Sequence, residues 1–226
     1  MTTLILEMEQ RSDEWYQARC GIITASQIGP LITPKTKKVS ESKAAREIAM
    51  ALTAERITST VERTYTSSDM WRGIEEEPLA RDAYARHTGR RVDTCGFMVR
   101  DQGGVSVGYS PDGLVGDDGL IEIKSRLHRV QMETVLDGIP DAVMPQLQCG
   151  LYVSGRSWID YVSYSGGMHL WVERVYPDDA WQQVIGDAVA KLEQAIDALT
   201  ATYLARVAPF PVMPITPDYS EIEVSA

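Results

Sequence analysis

"GYSPDGLVGDDGLIEIKS", residues 108–125, contains a Pro-Asp-Gly turn, a second Asp-Gly turn and a short alternating segment that ends in Lys124 and Ser125. Asp-Gly turns between apolar segments are typical of β-hairpins. Glu122 and Lys124 are two residues apart, so on a strand they share one face, while Ile121 and Ile123 share the other. We therefore predict a hairpin whose second strand directs its isoleucines to the core and its Glu–Lys pair away from them.

The same hairpin can bring Asp112, in the Pro-Asp-Gly turn, beside Glu122. Two converging carboxylates repel each other unless a cation lies between them. Mg²⁺ is the natural cation for oxygen ligands, and one of the waters it retains can act as a nucleophile. This pattern favours a metal site formed by Asp112, Glu122 and the carbonyl of Ile123, with Lys124 placed to position or deprotonate a water. The alternative is an ordinary hairpin turn with a solvated Glu–Lys pair.

Sequence patterns on both sides of this hairpin predict a chain of mixed helices and strands. Strand-like segments cover residues 90–100, 104–116, 120–125, 157–165 and 169–177. Helical patterns cover residues 11–21, 24–32, 41–57, 67–89, 146–155 and 178–207, and a Pro-rich tail follows at 208–226. A strand meander with helices before and after it predicts an α/β (α+β) fold, with a central mixed β-sheet flanked by helices.

Charge and cysteine content narrow the classes of function that this protein could have. The chain has 226 residues and a net charge of −10. The charge is uneven: residues 1–130 carry 18 Lys/Arg and 19 Asp/Glu, whereas residues 131–226 carry 4 and 13. A local DNA channel built from the first 130 residues is therefore compatible with the acidic total, although general affinity for DNA should be weak.

Three scattered cysteines argue against a disulfide framework and a four-cysteine metal site. The N-terminus lacks the features of a signal peptide and no apolar run could span a bilayer, so we expect a cytoplasmic protein without membrane contact.

The motif Asp112…Glu122-Ile123-Lys124 resembles the PD-(D/E)XK signature of restriction-endonuclease-like nucleases. Three further blocks resemble the phage λ-type alkaline exonucleases, the viral recombinase branch of that superfamily. "RGIEEEPLARDAY" resembles the helix that supplies an additional acid, here Glu77, four residues after Gly73, with Glu76 as the rival. "EWYQARCGIITASQIG" resembles the block that binds the 5′-phosphate of DNA, and "PQLQCGLYVSG" resembles a Gln-x-Gln helix.

The resemblance assigns roles to residues of this chain. It implies catalytic roles for Asp112, Glu122, Lys124 and Glu77, and metal ligation by Asp112, Glu122 and Ile123. The residues that it implies contact DNA or its 5′-phosphate are Arg19, Thr24, Ser26, Ser110, Gln146, Gln148 and Met70. Arg19 offers a bidentate fork, with a surface salt bridge as the alternative. The family places an apolar side chain as a wedge between base pairs, and Met70 is at about that position. The alternative for Met70 is packing in the protein core.

The implied function is a Mg²⁺-dependent 5′→3′ exonuclease, with Mn²⁺ as a substitute, that acts on linear double-stranded DNA in the cytoplasm of a bacterial host. It would release mononucleotides and leave a 3′ single strand. A homotrimeric ring and a single-strand annealing recombinase as partner come with the resemblance. One nuclease domain, 1–226, would comprise a 5′-end-binding part (1–60), a catalytic core (61–165) and a C-terminal strand, helix and tail (166–226). A PD-(D/E)XK endonuclease, a RecB-like nuclease and a catalytically inactive binding module remain alternatives, and the number of metal ions is open.

Overall fold

A computed structural model describes residues 2–62 and 67–215. The α-helices among these residues are α1 (Asp13–Arg19), α2 (Lys43–Thr58), α3 (Ser68–Thr88), α4 (His128–Asp137), α5 (Met144–Ser154) and α6 (Asp179–Val207). The strands are β1 (Thr2–Leu6), β2 (Ile23–Thr24), β3 (Ile32–Thr33), β4 (Lys38–Val39), β5 (Phe97–Gln102), β6 (Val105–Tyr109), β7 (Gly113–Val115), β8 (Gly119–Ser125), β9 (Trp158–Tyr164) and β10 (Trp171–Val175). The end of the Pro-rich tail, residues 216–226, lies outside the described residues.

The predicted hairpin is present as β7 and β8, which pair antiparallel with Gly113 opposite Ile121. β8 continues past the end of β7 and pairs in parallel with β9 along its whole length. Ile121 and Ile123 are buried in one core cluster with Ala80 and Tyr84 of α3. Glu122 and Lys124 take the opposite face, towards α5, which confirms the predicted alternation.

The described strands form two four-stranded mixed sheets and a two-stranded ribbon, rather than the single central sheet that we expected. The first sheet has the order β1-β5-β6-β2 and the second β10-β9-β8-β7. The chain passes from one to the other at Ser110–Asp112, between the end of β6 and the start of β7. The expected α/β class, with mixed sheets flanked by helices, is confirmed.

Helix α5 is buried at nearly every position and packs against both sheets. Its close approach needs Gly150, because a Cβ there would lie 2.9 Å from the Tyr109 ring. Gln146 is one turn before Gly150, so it lies on the same face of the helix. The sequence of α5 therefore places an amide side chain against β8.

Helix α3 is fixed on β9 by a buried polar contact. The Tyr84 hydroxyl donates to Asp160 Oδ2 at 2.7 Å, and Arg174 of β10 donates to both oxygens of Asp160, at 2.7 and 2.9 Å. Both Tyr84 and Asp160 are buried, so these hydrogen bonds replace hydration that folding removes. This contact sets the position of α3, which carries Glu76 and Glu77.

Some local expectations were wrong. The helix predicted at 24–32 consists of two 3₁₀ turns, Ala25–Gln27 and Gly29–Leu31, and Thr24 makes no capping hydrogen bond. Gly29-Pro30 breaks the helical hydrogen-bond pattern there, because proline lacks an N–H. Helix α4 and strand β1 were not predicted. In the described part of the chain, no helix combines the length and apolarity that a bilayer crossing requires.

Candidate active site

Glu122 lies at the centre of a buried hydrogen-bond network. Its side chain is 3% exposed. Lys124 Nζ donates to Glu122 Oε1 at 2.9 Å and to Gln146 Oε1 at 2.9 Å, and Gln146 Nε2 donates to the same Glu122 oxygen. On the other side of the carboxylate, the Tyr109 hydroxyl donates to Oε2 at 3.0 Å. Gln146 therefore bridges the predicted acid and the predicted lysine and fixes the position of both.

Asp112 reaches this site from the turn before β7. Its Oδ2 accepts a hydrogen bond from the backbone N–H of Ile123 at 2.6 Å. In a strand the N–H and C=O of one residue point to the same side. β7 pairs no further along β8 than Ile121, so the carbonyl of Ile123 faces the same unpaired edge as Asp112.

Burial and neighbouring charges both shift the pKa values of Asp112 and Lys124. Burial and the nearby carboxylates of Glu122 and Glu77 raise the pKa of Asp112 well above its ordinary value. Burial alone would lower the pKa of Lys124, but Glu122 and Asp112 outweigh it and raise that pKa. The site thus holds more negative charge than Lys124 neutralises.

The donor set suits a hard divalent cation. Asp112, Glu122 and the Ile123 carbonyl offer only oxygen, which Mg²⁺ prefers. A carboxylate has about four lone-pair positions, and Glu122 uses three of them in the hydrogen bonds above. A cation here would also relieve the repulsion that raises the pKa of Asp112. Within the described ranges, no group of three or more His, Cys, Asp or Glu side chains is arranged to hold a metal, so a cation here would have these two carboxylates and a main-chain oxygen as its protein ligands.

The two neighbouring acids of α3 point to different places. Glu76 accepts a hydrogen bond from Ser125 Oγ, beyond Lys124 on β8. Glu77 forms ion pairs with Arg81 and, at 3.0 Å, with Arg11. Arg81 Nε also donates to the carbonyl of Asp112 at 2.8 Å, so Glu77 is the acid on the Asp112 side.

Arg19 and Thr24, two of the three predicted 5′-phosphate residues, line a second region, which we call the Arg19 cavity. It has a volume of about 490 Å³, and its walls include Arg19, Thr24 and Met70. Arg19 donates to Thr24 Oγ1 at 3.5 Å, and the Thr24 and Ser26 hydroxyls are 3.2 Å apart. Met70 is 50% exposed at the cavity wall, so it is not a core residue.

An aromatic ring and burial both act on the Arg19 guanidinium. Its guanidinium lies over the Trp15 ring, 3.9 Å from the ring centroid. Burial lowers the pKa of Arg19 to about 10, against the opposing influence of Tyr16 and Glu55. A bound phosphate would supply an opposite charge and replace lost hydration.

Trp15 connects the Arg19 cavity to the Asp112 turn, and the sequence reasoning did not single it out. Its indole Nε1 donates to Ser110 Oγ at 2.9 Å, two residues before Asp112. Ser110 thus lies between the two predicted parts of the site. The available signal was the aromatic residue one turn before Arg19, on the same face of α1.

Gln148 lies away from this site. It is 2% exposed, donates to the Tyr176 carbonyl at 2.8 Å and accepts from the Asp178 N–H at 3.1 Å. Gln146, and not Gln148, contacts Lys124. The reason is helical geometry, because residues two apart on a helix face different directions.

The chain matches a known protein family and is similar to solved structures. Residues 14–157 match the model of the YqaJ-like viral recombinase domain. The structure is similar to that of an alkaline exonuclease, LHK-Exo, from Laribacter hongkongensis, with 31% identity, coverage of 88% of this chain and 100% of that chain, and a TM-score of 0.78. For LHK-Exo in complex with dAMP the identity and coverage are the same and the TM-score is 0.76.

A phage-related exonuclease from Haemophilus somnus 129PT shares the fold, with 12% identity, coverage of 80% of this chain and 96% of that chain, and a TM-score of 0.59. No curated protein matches the chain significantly. The domain match covers more than half of the 226 residues and includes both Arg19 and the Asp112–Lys124 motif. The chain therefore belongs to the YqaJ-like viral recombinase family.

Proposed function

We propose that this protein is a Mg²⁺-dependent 5′→3′ exonuclease that digests one strand of linear double-stranded DNA. The observation that carries the proposal is the buried network in which Gln146 joins Glu122 and Lys124 beside Asp112. Membership of the viral recombinase family and the similarity to an alkaline exonuclease support a nuclease role in recombination. Mononucleotide products are in keeping with the dAMP bound in one LHK-Exo structure.

The metal would be held by Asp112, Glu122 and the Ile123 carbonyl, with Glu77 as an additional acid. When bound there, a divalent cation would stabilise negative charge on the scissile phosphate and lower the pKa of an attacking water. Mg²⁺ is the expected ion and Mn²⁺ a substitute, since both favour carboxylate and carbonyl oxygen.

Lys124 positions the attacking water and takes up its proton. While the charges of Glu122 and Asp112 are uncompensated, they keep the pKa of Lys124 raised and its amine protonated. Neutralisation of those carboxylates removes that support, and burial then favours the neutral amine that can accept a proton. Gln146 holds the amine in place through its side-chain oxygen.

Arg19, Thr24 and Ser26 would hold the 5′-phosphate of the digested strand. This block supports an exonuclease over an endonuclease, because a pocket for a terminal phosphate selects a free end. Met70, which is exposed at the wall of the same cavity, would separate the terminal base pair.

We further propose that residues 1–226 act as one nuclease domain in the bacterial cytoplasm. A homotrimeric ring around DNA and a single-strand annealing recombinase as partner would complete the recombination function. Gel filtration with light scattering tests the trimer, with a monomer at micromolar concentration as the outcome against it.

A substrate panel tests the nuclease proposal. Purified protein with Mg²⁺ is incubated with linear duplex carrying a 5′-phosphate, linear duplex carrying a 5′-hydroxyl, and closed circular duplex. We expect rapid loss of the phosphorylated linear DNA, slower loss of the 5′-hydroxyl DNA and no loss of circles, with all activity removed by Lys124→Ala. Cleavage of circles would instead support the endonuclease alternative. Binding without any cleavage would support the inactive module.

A further inference from the structure

Arg11 has a backbone conformation that arginine rarely adopts. Its φ is +72°, in the left-handed region. Within the part of the chain that the structure describes, only Lys37 and Ser59 share this feature among non-glycine residues. A Cβ disfavours this region, and glycine enters it freely. Glycine would adopt this conformation with less strain. The presence of arginine here therefore points to a role for its side chain.

The neighbours of Arg11 hold the backbone in this conformation. Gln10 Nε2 donates to the carbonyl of Cys95 at 2.8 Å and to the carbonyl of Pro111 at 3.0 Å. Ser12 caps α1 by accepting a hydrogen bond from the Trp15 N–H at 3.2 Å. The turn is therefore attached on one side to the segment that carries Asp112 and on the other to the helix that carries Arg19. Strained residues persist where the surroundings fix them in this way, and they cluster at functional sites.

The Arg11 side chain lies between two cavities. One is the Arg19 cavity, which Arg11 lines. The other, of about 640 Å³, is lined by Asp112, Glu77 and Arg81 and also by Arg11; we call it the Asp112 cavity. Arg11 is thus shared by the proposed pocket for the terminal phosphate and by a cavity that reaches Asp112, one residue of the proposed metal site.

The ion pair between Arg11 and Glu77 is suited to exchange. The Arg11 side chain is 44% exposed, and its contact with Glu77 is 3.0 Å long. Exposed ion pairs of this kind contribute little net stability. Glu77 keeps a second cationic partner, Arg81, if Arg11 leaves. Arg11 can therefore change partner at small cost.

We propose that Arg11 binds the phosphate that follows the terminal phosphate in the digested strand, and that Glu77 holds its guanidinium when DNA is absent. This inference rests on the proposed exonuclease function, in which the terminal phosphate would occupy the Arg19 cavity and the next phosphate of the same strand would lie at the Asp112–Lys124 motif. The guanidinium fork matches phosphate oxygens and remains charged at all working pH values. Arg11 is thus a substrate-binding residue that sets the register of the departing nucleotide.

A competing interpretation is that Arg11 only supports the fold by its pair with Glu77. The two interpretations differ in the ionic-strength dependence of DNA binding. Each phosphate contact releases condensed counterions, so its loss reduces the slope of log K against log salt by about one. A purely structural ion pair leaves that slope unchanged.

Arg11→Gly is the informative variant, because glycine adopts the required φ and the backbone keeps its turn. Lys37→Gly is the matched control. It also removes a cation from a left-handed position (φ +48°), but Lys37 contacts Asp178, remote from the two cavities. Arg11→Lys keeps the charge and loses the fork. Thermal melting of all three variants reports whether the fold is retained.

Equilibrium binding to a 5′-phosphorylated duplex is measured by fluorescence anisotropy over a salt series in Ca²⁺, alongside steady-state digestion in Mg²⁺. We expect Arg11→Gly to weaken binding about tenfold and to reduce the salt slope by about one, with KM affected more than kcat. We expect Arg11→Lys to restore the slope but only part of the affinity, and Lys37→Gly to match the wild type.

Binding and salt slope of Arg11→Gly equal to those of the wild type, with the wild type active, would overturn the inference about Arg11 alone. A wild-type protein that neither binds nor digests DNA would instead reject the proposed function on which the inference rests.

Discussion

Gln146→Ala tests whether the amide of α5 organises the catalytic pair. Gln146 donates to Glu122 and accepts from Lys124 at 2.9 Å, so the substitution removes two hydrogen bonds to charged groups. The direct contact of Lys124 with Glu122, at 2.9 Å, remains, so we expect the site to loosen rather than collapse. Because that direct contact remains, we expect a net loss equal to one charged hydrogen bond, about 1.5–3 kcal/mol. This loss corresponds to a kcat about 10- to 150-fold lower.

Gln148→Ala is the matched control for this experiment. It removes the same side chain two residues further along α5, where the contacts are with Tyr176 and Asp178. We expect it to lower the free energy of unfolding by about 1–3 kcal/mol, since buried partners are left unpaired. Its kcat should stay within about threefold of the wild type, because the substitution removes no contact with the reacting groups.

The assay is single-turnover digestion of a 5′-phosphorylated duplex at saturating protein, with chemical denaturation of each variant in parallel. A kcat for Gln146→Ala within about twofold of the wild type would refute the positioning role. So would equal losses of kcat in the two variants at unchanged stability.

Four further outcomes are expected. Asp112→Asn should raise the free energy of unfolding of the metal-free protein at pH 8, because burial, Glu122 and Glu77 raise the pKa of Asp112 and so disfavour its ionised form in the fold. A carboxyl group with a raised pKa in the fold destabilises the protein at pH values above the pKa that it has in the unfolded chain. The stability gained by Asp112→Asn should therefore shrink as the pH falls towards that unfolded pKa. A gain that grows in acid would contradict this reasoning. Mg²⁺ or Ca²⁺ at about 100 times its Kd should stabilise the wild type by about 2.7 kcal/mol in thermal melts, but not Asp112→Asn. Arg19→Lys should reduce the preference for 5′-phosphate over 5′-hydroxyl ends at least about tenfold through loss of the bidentate fork, and an unchanged ratio of kcat/KM values would exclude the phosphate role. Tyr84→Phe should cost about 1.5–3 kcal/mol in urea unfolding, because Asp160 is buried and loses a hydrogen bond, and a cost under about 0.5 kcal/mol would contradict the anchoring of α3.

The sequence predicted the structure best where side chains alternate along a buried strand. The alternation over Ile121–Lys124 predicted both faces of β8, because the side-chain period of a strand is two. The predicted bounds of α1, α3 and α5 lie within about two residues of the observed ends, and glycines follow some of these ends. Gly89 and Gly155, for example, adopt left-handed conformations directly after α3 and α5.

Long-range contacts limited the prediction. Whether Gln146 or Gln148 faces Lys124 depends on the rotation of α5 about its axis, which Gly150 and Tyr109 set by contact. Helix α4 has few strong sequence signals, because no side chain caps its start. The division of the strands into two sheets follows from pairings such as β1 with β5, more than 90 residues apart, and local patterns carry no such information.

The role of Arg11 could not be read from the sequence either. Its conformation is imposed by Gln10, through hydrogen bonds to carbonyls 85 and 101 residues away. An arginine between Gln10 and Ser12 carries no local sign of positive φ, since glycine and asparagine are the residues that signal it.

The measurement that tests the central claim most directly is the fate of each end of one strand. A linear duplex is prepared with a 5′-phosphate and a radioactive label near the 5′ end of one strand, and in a second preparation near its 3′ end. With Mg²⁺, the proposed function predicts early release of the 5′-proximal label as mononucleotide, while the 3′-proximal label remains in long DNA and the complementary strand stays intact. Early release of the 3′-proximal label, or release of both labels in oligonucleotides, would contradict the account.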